Sequence, residues 1–410
     1  VYIDQKRVLV DQNFFCQIVL IRHCFFFPLK GIILIHFNRY IRSMRIAMVV
    51  SNDLANDQRV LKMCYTLQNW GHQVQLTGRQ RRTSPPLPDF PFKTTRLKLL
   101  FETGPLFYMM LQLRLFFHLL FTKQDLIHAN DLDTLLPSWL VAKIKGCKLV
   151  YDTHEYFTGV PELSHRPMVR KIWKTLESAI FPGLNKVITV NHSIAGLYKT
   201  DYGMLPMVVR NVPSVSNALP AVGRKELGLP EDKFILIMQG SGINVDRGAE
   251  EAVEMMKYLD KTLLIIAGSG DVIPSLKQYV SSSRLGEKVK FIAKMPYSEL
   301  MKYTAVSDIG LSLDKDSNIN YRFSLPNKLF DYIRAGIPVM ASDLPEVRKV
   351  LEETRSGLIT ADHDPVRMAA MVTSLRSDYQ HFDDLKKQAV KAAGRYSWET
   401  EVKAIKSWYE

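Results

Sequence analysis

The chain has 410 residues, 47% of them hydrophobic and 23% charged, with no low-complexity tract. This excludes a disordered or collagen-like protein and makes two globular domains the natural expectation for the length. The 54 Lys and Arg against 41 Asp and Glu leave a formal charge of +13, which points to a nucleic acid, a phosphorylated ligand or an acidic membrane face without choosing among them.

Four cysteines, Cys16, Cys24, Cys64 and Cys147, form no C-x-x-C pair and no zinc spacing, as expected of a reducing cytoplasmic setting. The stretch from Phe14 to Phe37 is rich in Phe and Ile, but Arg22, His23 and Lys30 interrupt its apolar runs well short of a membrane span, and no small-residue cleavage site is visible. The expectation is that Met44 is the true start and that residues 1–43 are an extension outside the fold. A membrane-associated N-terminal hairpin is the alternative.

From Met44 onward, β-branched runs alternate with segments of helical period, the signature of βαβ units and parallel sheets. Strands are expected at 45–50, 72–77, 125–129, 148–151, 186–190 and 207–210. The stretch from Asp57 to Trp70 reads as a helix stopped by Gly71. The aperiodic Pro213 to Gly223 reads as an interdomain linker. The pattern then restarts, with strands at 234–239, 262–267, 288–292, 308–313, 337–341 and 357–360. The predicted fold is α/β, two doubly wound Rossmann-like domains at 44–215 and 216–385 facing across a cleft. The tail 386–410 is expected to form a helix that packs back on the first domain through Val402, Ile405, Trp408 and Tyr409.

Open parallel sheets bind ligands at the carboxyl ends of their strands. After the strand 234–239 comes Gly240-Ser241-Gly242, then Arg247-Gly248 and a helix. Gly240 and Gly242 let a ligand approach the backbone, and Arg247 beside the helix N-terminus supplies positive charge. A plain structural connection has the same pattern. More specific is the run from Ser324 to Val339, where Pro326 opens a short helix and Gly336 closes it before a buried strand. Free N–H groups around Asn327 can hold a diphosphate, Lys328 adds a full charge, and Asp331, one turn on, can accept hydrogen bonds from a ribose. The plainer alternative makes Lys328 and Asp331 an i, i+3 surface ion pair.

This stretch resembles the signature of family 4 glycosyltransferases of the GT-B fold, and the likeness spans nearly all of Met44 to Glu410. It includes Arg247-Gly248, Ala267 to Gly270, Asp308 to Leu311, Asn56 to Val60, Ile127 to Asp131, Tyr151 to Glu155 and Asn211-Val212-Pro213. The resemblance implies that Arg247, at the family's K/R-G pair, neutralises a donor diphosphate together with Lys328. It also implies that Asp331, the second acid of the family's E-x7-E pattern, binds the ribose. The first acid is replaced by Phe323, and the basic residue expected after the first glycine of the turn by Ser241. His154 matches a histidine that lies beside the reacting sugar in related enzymes, with Glu155 next to it; a structural hydrogen-bonding role is the alternative. Asp57 and Arg59 could face the acceptor, although a helix-capping Asp with an exposed Arg explains them almost as well. Asp131 is a similar case.

No H-E-x-x-H, P-loop or G-x-S-x-G motif is present. Asp131-Leu132-Asp133 and Asp314-Lys315-Asp316 have D-x-D spacing, but they read as a helix start and a loop, so no metal site and no cofactor are expected. The leaving diphosphate would be stabilised by Arg247, Lys328 and helix dipoles. Basic segments at Arg79 to Arg82 and His165 to Lys174, with the aromatic-rich Pro105 to Phe121, could dock the first domain on an anionic membrane, or form a solvated face over a core helix. The charge is dispersed and no nucleic-acid reader motif accompanies it.

The expected function is a glycosyltransferase moving a sugar from a nucleotide-sugar donor to a glycan or lipid-linked acceptor, in the cytoplasm or peripheral on the cytoplasmic membrane face. Retention of configuration and a role in bacterial envelope polysaccharide synthesis are implied by the resemblance alone. A nucleotide-sugar epimerase of the same fold and a non-catalytic partner subunit are the alternatives.

Overall fold

The computed structural model describes residues 43–55, 57–215 and 221–410. The expectation for 1–43 therefore lies, except for Ser43, outside the described residues. The first sheet holds β1 (Arg45–Val49), β2 (Gln73–Gln80), β3 (Lys93–Lys98), β4 (Leu126–Asn130), β5 (Lys148–Thr153), β6 (Val187–Thr189) and β7 (Met207–Val208). Their order is β3-β2-β1-β4-β5-β6-β7, with every pair parallel. The second holds β8 (Phe234–Gly240), β9 (Thr262–Gly268), β10 (Val289–Ala293), β11 (Ile309–Ser312), β12 (Val339–Ser342) and β13 (Gly357–Thr360), ordered β10-β9-β8-β11-β12-β13, again parallel. β3 is absent from the sequence reading because KTTRLK carries no apolar alternation; it is a part-exposed edge strand.

In each sheet the strand order reverses beside the first strand, between β1 and β4 and between β8 and β11. These switch points open crevices at the carboxyl ends of the strands.

The helices of the first half are α1 (Gln58–Asn69), α2 (Gly104–Phe121), α3 (Leu132–Lys145), α4 (Pro161–Ser164), α5 (Pro167–Ile180) and α6 (His192–Tyr202). α1 buries Val60, Met63, Cys64 and Leu67, the i, i+3, i+4, i+7 face of an amphipathic helix. The second half carries α7 (Ala249–Met255), α8 (Ile273–Ser282), α9 (Tyr297–Ala305), α10 (Ile319–Arg322), α11 (Asn327–Ala335), α12 (Pro345–Thr354), α13 (Pro365–Ser377), α14 (Tyr379–Ala393) and α15 (Trp398–Glu401).

α11 is locked onto the sheet by Tyr332, whose hydroxyl lies 3.2 Å from the carbonyls of Ile237 and Leu311 and accepts from Gln239 N–H at 3.2 Å. Gly310 makes room for this ring, since a Cβ there would collide with it.

The tail does return to the first domain, but not as one helix. α14 ends at Ala393 against α11, the chain becomes extended at Ser397, and α15 with the 3-10 turns Val402–Tyr409 makes the crossing. Val402, Ile405 and Tyr409 are buried there, while Trp408 is only partly so. Trp398 Nε1 donates to Thr66 Oγ1 at 2.8 Å, and Glu401 accepts from Arg210 N at 2.9 Å.

Beneath the tail lies a buried polar network. Arg59 grips Asp152 with two bonds of 2.8 and 3.0 Å and donates to the Val209 carbonyl at 2.8 Å. His128 Nε2 is 3.7 Å from the same carboxylate, and its Nδ1 is 2.8 Å from the Tyr409 hydroxyl. Burial pushes Asp152 up, but Arg59 and His128 outweigh it and hold the carboxyl well below its usual range. Arg59→Ala would leave that charge buried and unpaired, so it should cost about 3–5 kcal/mol of stability. Urea unfolding checks this. A shift in acceptor KM with stability unchanged would instead mean that Arg59 serves the substrate.

Candidate active site

The carboxyl ends of both sheets open on one cleft, bridged on one side by the segment 313–326 of the second half. Asn320 accepts from Tyr156 N–H and donates to the Tyr156 carbonyl, both at 3.1 Å. Asn191 donates to the Phe323 carbonyl at 2.8 Å, and Glu346 accepts from Ser193 N–H at 2.7 Å.

On the second-domain side two cations share one carboxylate. Arg247 Nη1 lies 3.1 Å and Lys328 Nζ 3.4 Å from Asp314 Oδ1. Asp314 is fully buried and its Oδ2 has no hydrogen-bond partner among the described residues. The Arg247 guanidinium also sits 4.0 Å from the centre of the Tyr321 ring, a cation–π contact that helps hold it in place. Burial and the neighbouring Arg247 charge lower the Lys328 pKa against the pull of Asp314, whereas at Arg247 the Asp314 charge overcomes burial and raises it. The cluster carries one net positive charge in a partly desolvated setting, where charge-assisted hydrogen bonds are strong.

α11 adds to this field. It has no side-chain cap and no acidic residue in its first turn, so the N–H groups at exposed Asn327 and part-buried Lys328 meet the cleft with the helix dipole behind them. Around the Gly-rich turn the glycines divide into two kinds. Added Cβ atoms at Gly248, Gly268 and Gly270 would collide with Leu313, Gly240 and Ile243, so those glycines serve internal packing. A Cβ at Gly240 or Gly242 would meet nothing closer than 3.5 Å, which leaves room beside their Cα atoms for a ligand.

On the first-domain side, His154 Nδ1 lies 3.2 Å from Asp131 Oδ2, and Asp131 Oδ1 accepts from the His154 N–H at 2.9 Å. The other ring nitrogen is 3.3 Å from Asn130 Oδ1 and 3.9 Å from Asp152. Asp131 achieves this at φ 61° and ψ 164°, a region that costs a non-glycine residue about 1–3 kcal/mol and is retained where the surroundings over-determine it. Glu155 opens into the cleft beside this pair. Desolvation first, then the charges of Asp131 and Glu162, raise its pKa to about 7 against the opposing His154 and Arg247. Water in the open cleft weakens that push, and a ligand filling the cleft restores it. The Arg247 charge thus acts on Glu155 from the second-domain side.

Comparisons with known proteins divide the chain at the same place as its two sheets. The family described as glycosyl transferases group 1 matches residues 222–392, and glycosyltransferase family 4 matches residues 57–213. This chain belongs to the family 4 glycosyltransferases.

Among its relatives is a chitobiosyldiphosphodolichol beta-mannosyltransferase of Candida glabrata, 21% identical over 88% of this chain and 90% of that protein. The fold is that of sucrose-phosphate synthase from Thermosynechococcus elongatus, with a TM-score of 0.74 and 18% identity over 89% of this chain and 98% of that one. It is equally that of Anabaena HepE in complex with UDP and glucose, with a TM-score of 0.70 and 15% identity over 89% and 99%. The architecture is therefore GT-B.

Within this glycosyltransferase the structure decides between readings that the sequence left open. Arg59 does not face the acceptor: it is 3% exposed and consumed by Asp152. Asp57 caps α1, accepting from Val60 N–H at 3.2 Å, and is part-exposed. Lys328 and Asp331 do not pair with each other. Asp331 is 8% exposed and already accepts from Gln239 at 3.0 Å and from the Tyr297 hydroxyl at 2.8 Å, so a ribose hydroxyl would have to share it. Burial raises its pKa to about 6 despite Tyr297, Lys62 and Gln239.

Sequence reading missed Asp314, taken as part of a loop, and Tyr321. The signal for Asp314 was its place: it follows β11, the strand beside β8 at the switch point.

Burial lowers the His154 pKa, but the charges of Asp131 and Asp152 prevail and raise it from 6.5 to about 9. A raised histidine pKa stabilises the fold fully below the unfolded value, and that stability is lost as pH climbs through the folded one. The stability advantage of the wild type over Asp131→Asn should thus be full below pH 6.5 and shrink by up to about 3 kcal/mol as pH passes 9. Urea unfolding across a pH series measures it, and a flat difference would mean that the pair carries no charge.

Proposed function

We propose that this enzyme transfers a sugar from a nucleotide-diphosphate donor to a glycan or lipid-linked acceptor, without a metal ion, and that Arg247, Lys328 and the N-terminus of α11 receive the leaving diphosphate. The observation that carries this reading is the pair of cations held by the single carboxylate of Asp314. A diphosphate arriving beside them competes with one charge and meets two. It gains most as the glycosidic bond breaks and negative charge accumulates, which makes the stabilisation selective for the transition state. The bound UDP in the related Anabaena structure and the diphosphate-lipid acceptor in the name of the Candida relative support the same assignment.

Gly240 and Gly242 would admit the diphosphate to the backbone, and Asp331 would share a ribose hydroxyl with Tyr297. His154 and Glu155 would face the reacting sugar, and Asp131 would orient the imidazole. The family likeness supports retention of the anomeric configuration and a place in bacterial envelope polysaccharide assembly.

A peripheral position on the cytoplasmic membrane face accords with α2. Its inner face, Leu111, Leu115 and Leu119, is buried, while Leu106, Met109, Leu113, Phe117 and Phe121 form an exposed stripe. By length and composition alone this is the helix among the described residues that could cross a membrane. Packed on the domain as it is, with Arg114 on its surface, it suits an anionic bilayer surface better.

With a working donor and acceptor and EDTA present, Lys328→Ala and Arg247→Ala should each lower kcat about a hundredfold, or roughly 3 kcal/mol, with folding intact. Asp331→Asn should chiefly raise the donor KM. Near wild-type turnover in both cation variants would place the diphosphate elsewhere, and activity lost to EDTA but restored by Mg²⁺ would end the metal-free reading. NMR of the product linkage tests retention: an inverted anomer would instead assign Glu155, poised near neutrality, as the base that activates the acceptor.

A further inference from the structure

A second cationic site lies outside the donor cluster. Tyr156, Thr158, Arg170, Lys171 and Lys174 are among the residues that line a cavity of about 540 Å³ between α4, the start of α5 and the loop after β5.

α5 explains its character. At helical spacing, Pro167, Arg170, Lys171, Lys174 and Ser178 share one face and line the cavity. Trp173, Glu177 and Ile180 occupy the buried face. Met168, 77% exposed, and Ile172, 61% exposed, form an apolar strip between the two.

The charges are unequal in their commitments. Lys174 pairs with Asp201 and bonds the Tyr156 hydroxyl, so its charge is already spent on the floor of the cavity. Arg170 and Lys171 are exposed, and neither forms an ion pair with a carboxylate among the described residues. Of the nearby acids, Glu177 accepts from Tyr202 on the buried side, and Glu162 stands at the start of α4. The Thr158 hydroxyl is buried at the cavity wall and makes no hydrogen bond of ordinary geometry.

A solvated basic face needs neither a cavity nor a buried hydroxyl in its wall. Two open cations with hydroxyls around them suit the oxygens of a phosphate. The apolar strip one step around the helix suits a hydrocarbon chain attached to it. Tyr156 joins this cavity to the reaction cleft, because its backbone is held by Asn320 of the second domain two residues beyond His154.

We infer that this cavity binds the phosphate group of a lipid, with Arg170 and Lys171 on its oxygens and Met168 and Ile172 along its chain, so that the acceptor's sugar end lies at Tyr156 and His154. The inference rests on the transferase reading and narrows its acceptor to a lipid-linked one.

The test uses the full chain with its donor site filled by UDP or GDP, whichever raises the melting temperature. Farnesyl diphosphate is titrated in, and cosedimentation is measured with phosphatidylcholine vesicles with and without phosphatidylglycerol. Arg170→Ala/Lys171→Ala should keep the melting temperature and the nucleotide-induced shift, and should weaken farnesyl diphosphate binding about tenfold or more. Loss confined to the phosphatidylglycerol vesicles would assign the phosphate to a bilayer headgroup instead of a lipid-linked acceptor. Unchanged binding in both arms overturns the inference. A wild type that shows no nucleotide shift would count against the donor reading and leave the cavity result to stand separately.

Discussion

Asp152 is a carboxylate with no access to water, and the first domain is organised around keeping it charged. Arg59 from α1 neutralises it through two hydrogen bonds, His128 from β4 approaches from the side, and Tyr409 from the end of the chain holds that histidine's other nitrogen. One buried charge thereby fastens the first helix, the central strands and the returning tail. The same carboxylate lies 3.9 Å from His154, so the network that holds the tail also sets the field at the cleft. Removing any one member strands the others in a medium that solvates them poorly.

The second domain uses the opposite arrangement. Asp314 is also buried, but it faces two cations and leaves one of its own oxygens unpartnered among the described residues. This cluster is under-neutralised on the cleft side. An unfilled preference for negative charge is what a diphosphate site requires, and it costs no reorganisation when the leaving group departs. The rigidity comes from Tyr332, which ties α11 to β8 and β11 beneath Lys328.

The two halves also differ in how their residues are positioned. Lys328 stands in the first turn of α11, where the backbone is relaxed, whereas Arg247 lies between Asp246 and Gly248, both at positive φ. Asp131 is held in a strained conformation at the end of β4 and aims both oxygens at His154. Strain at Asp131, whose two oxygens both meet the cleft histidine, fits a positioning role for this residue. Glu155 shares that corner, and desolvation first, then the charges of Asp131 and Glu162, raise its pKa to about 7.

The sequence alone determined the alternation of strands and helices, the two parallel sheets, and the start and stop of α11 at Pro326 and Gly336, because these follow from local periodicity and from backbone preferences of single residues. It also marked the cations and the His-Glu pair by their place after strands. Tertiary structure alone decided which charges meet. Arg59 and Asp152 are 93 residues apart, and Arg247 and Asp314 are 67 apart, so no local pattern distinguishes a buried ion pair from an exposed capping helix, or a bridging carboxylate from a loop. β3 escaped notice because an edge strand need not alternate. The tail's crossing broke into short turns because its path is set by the surface it covers, and helix propensity alone does not describe that surface.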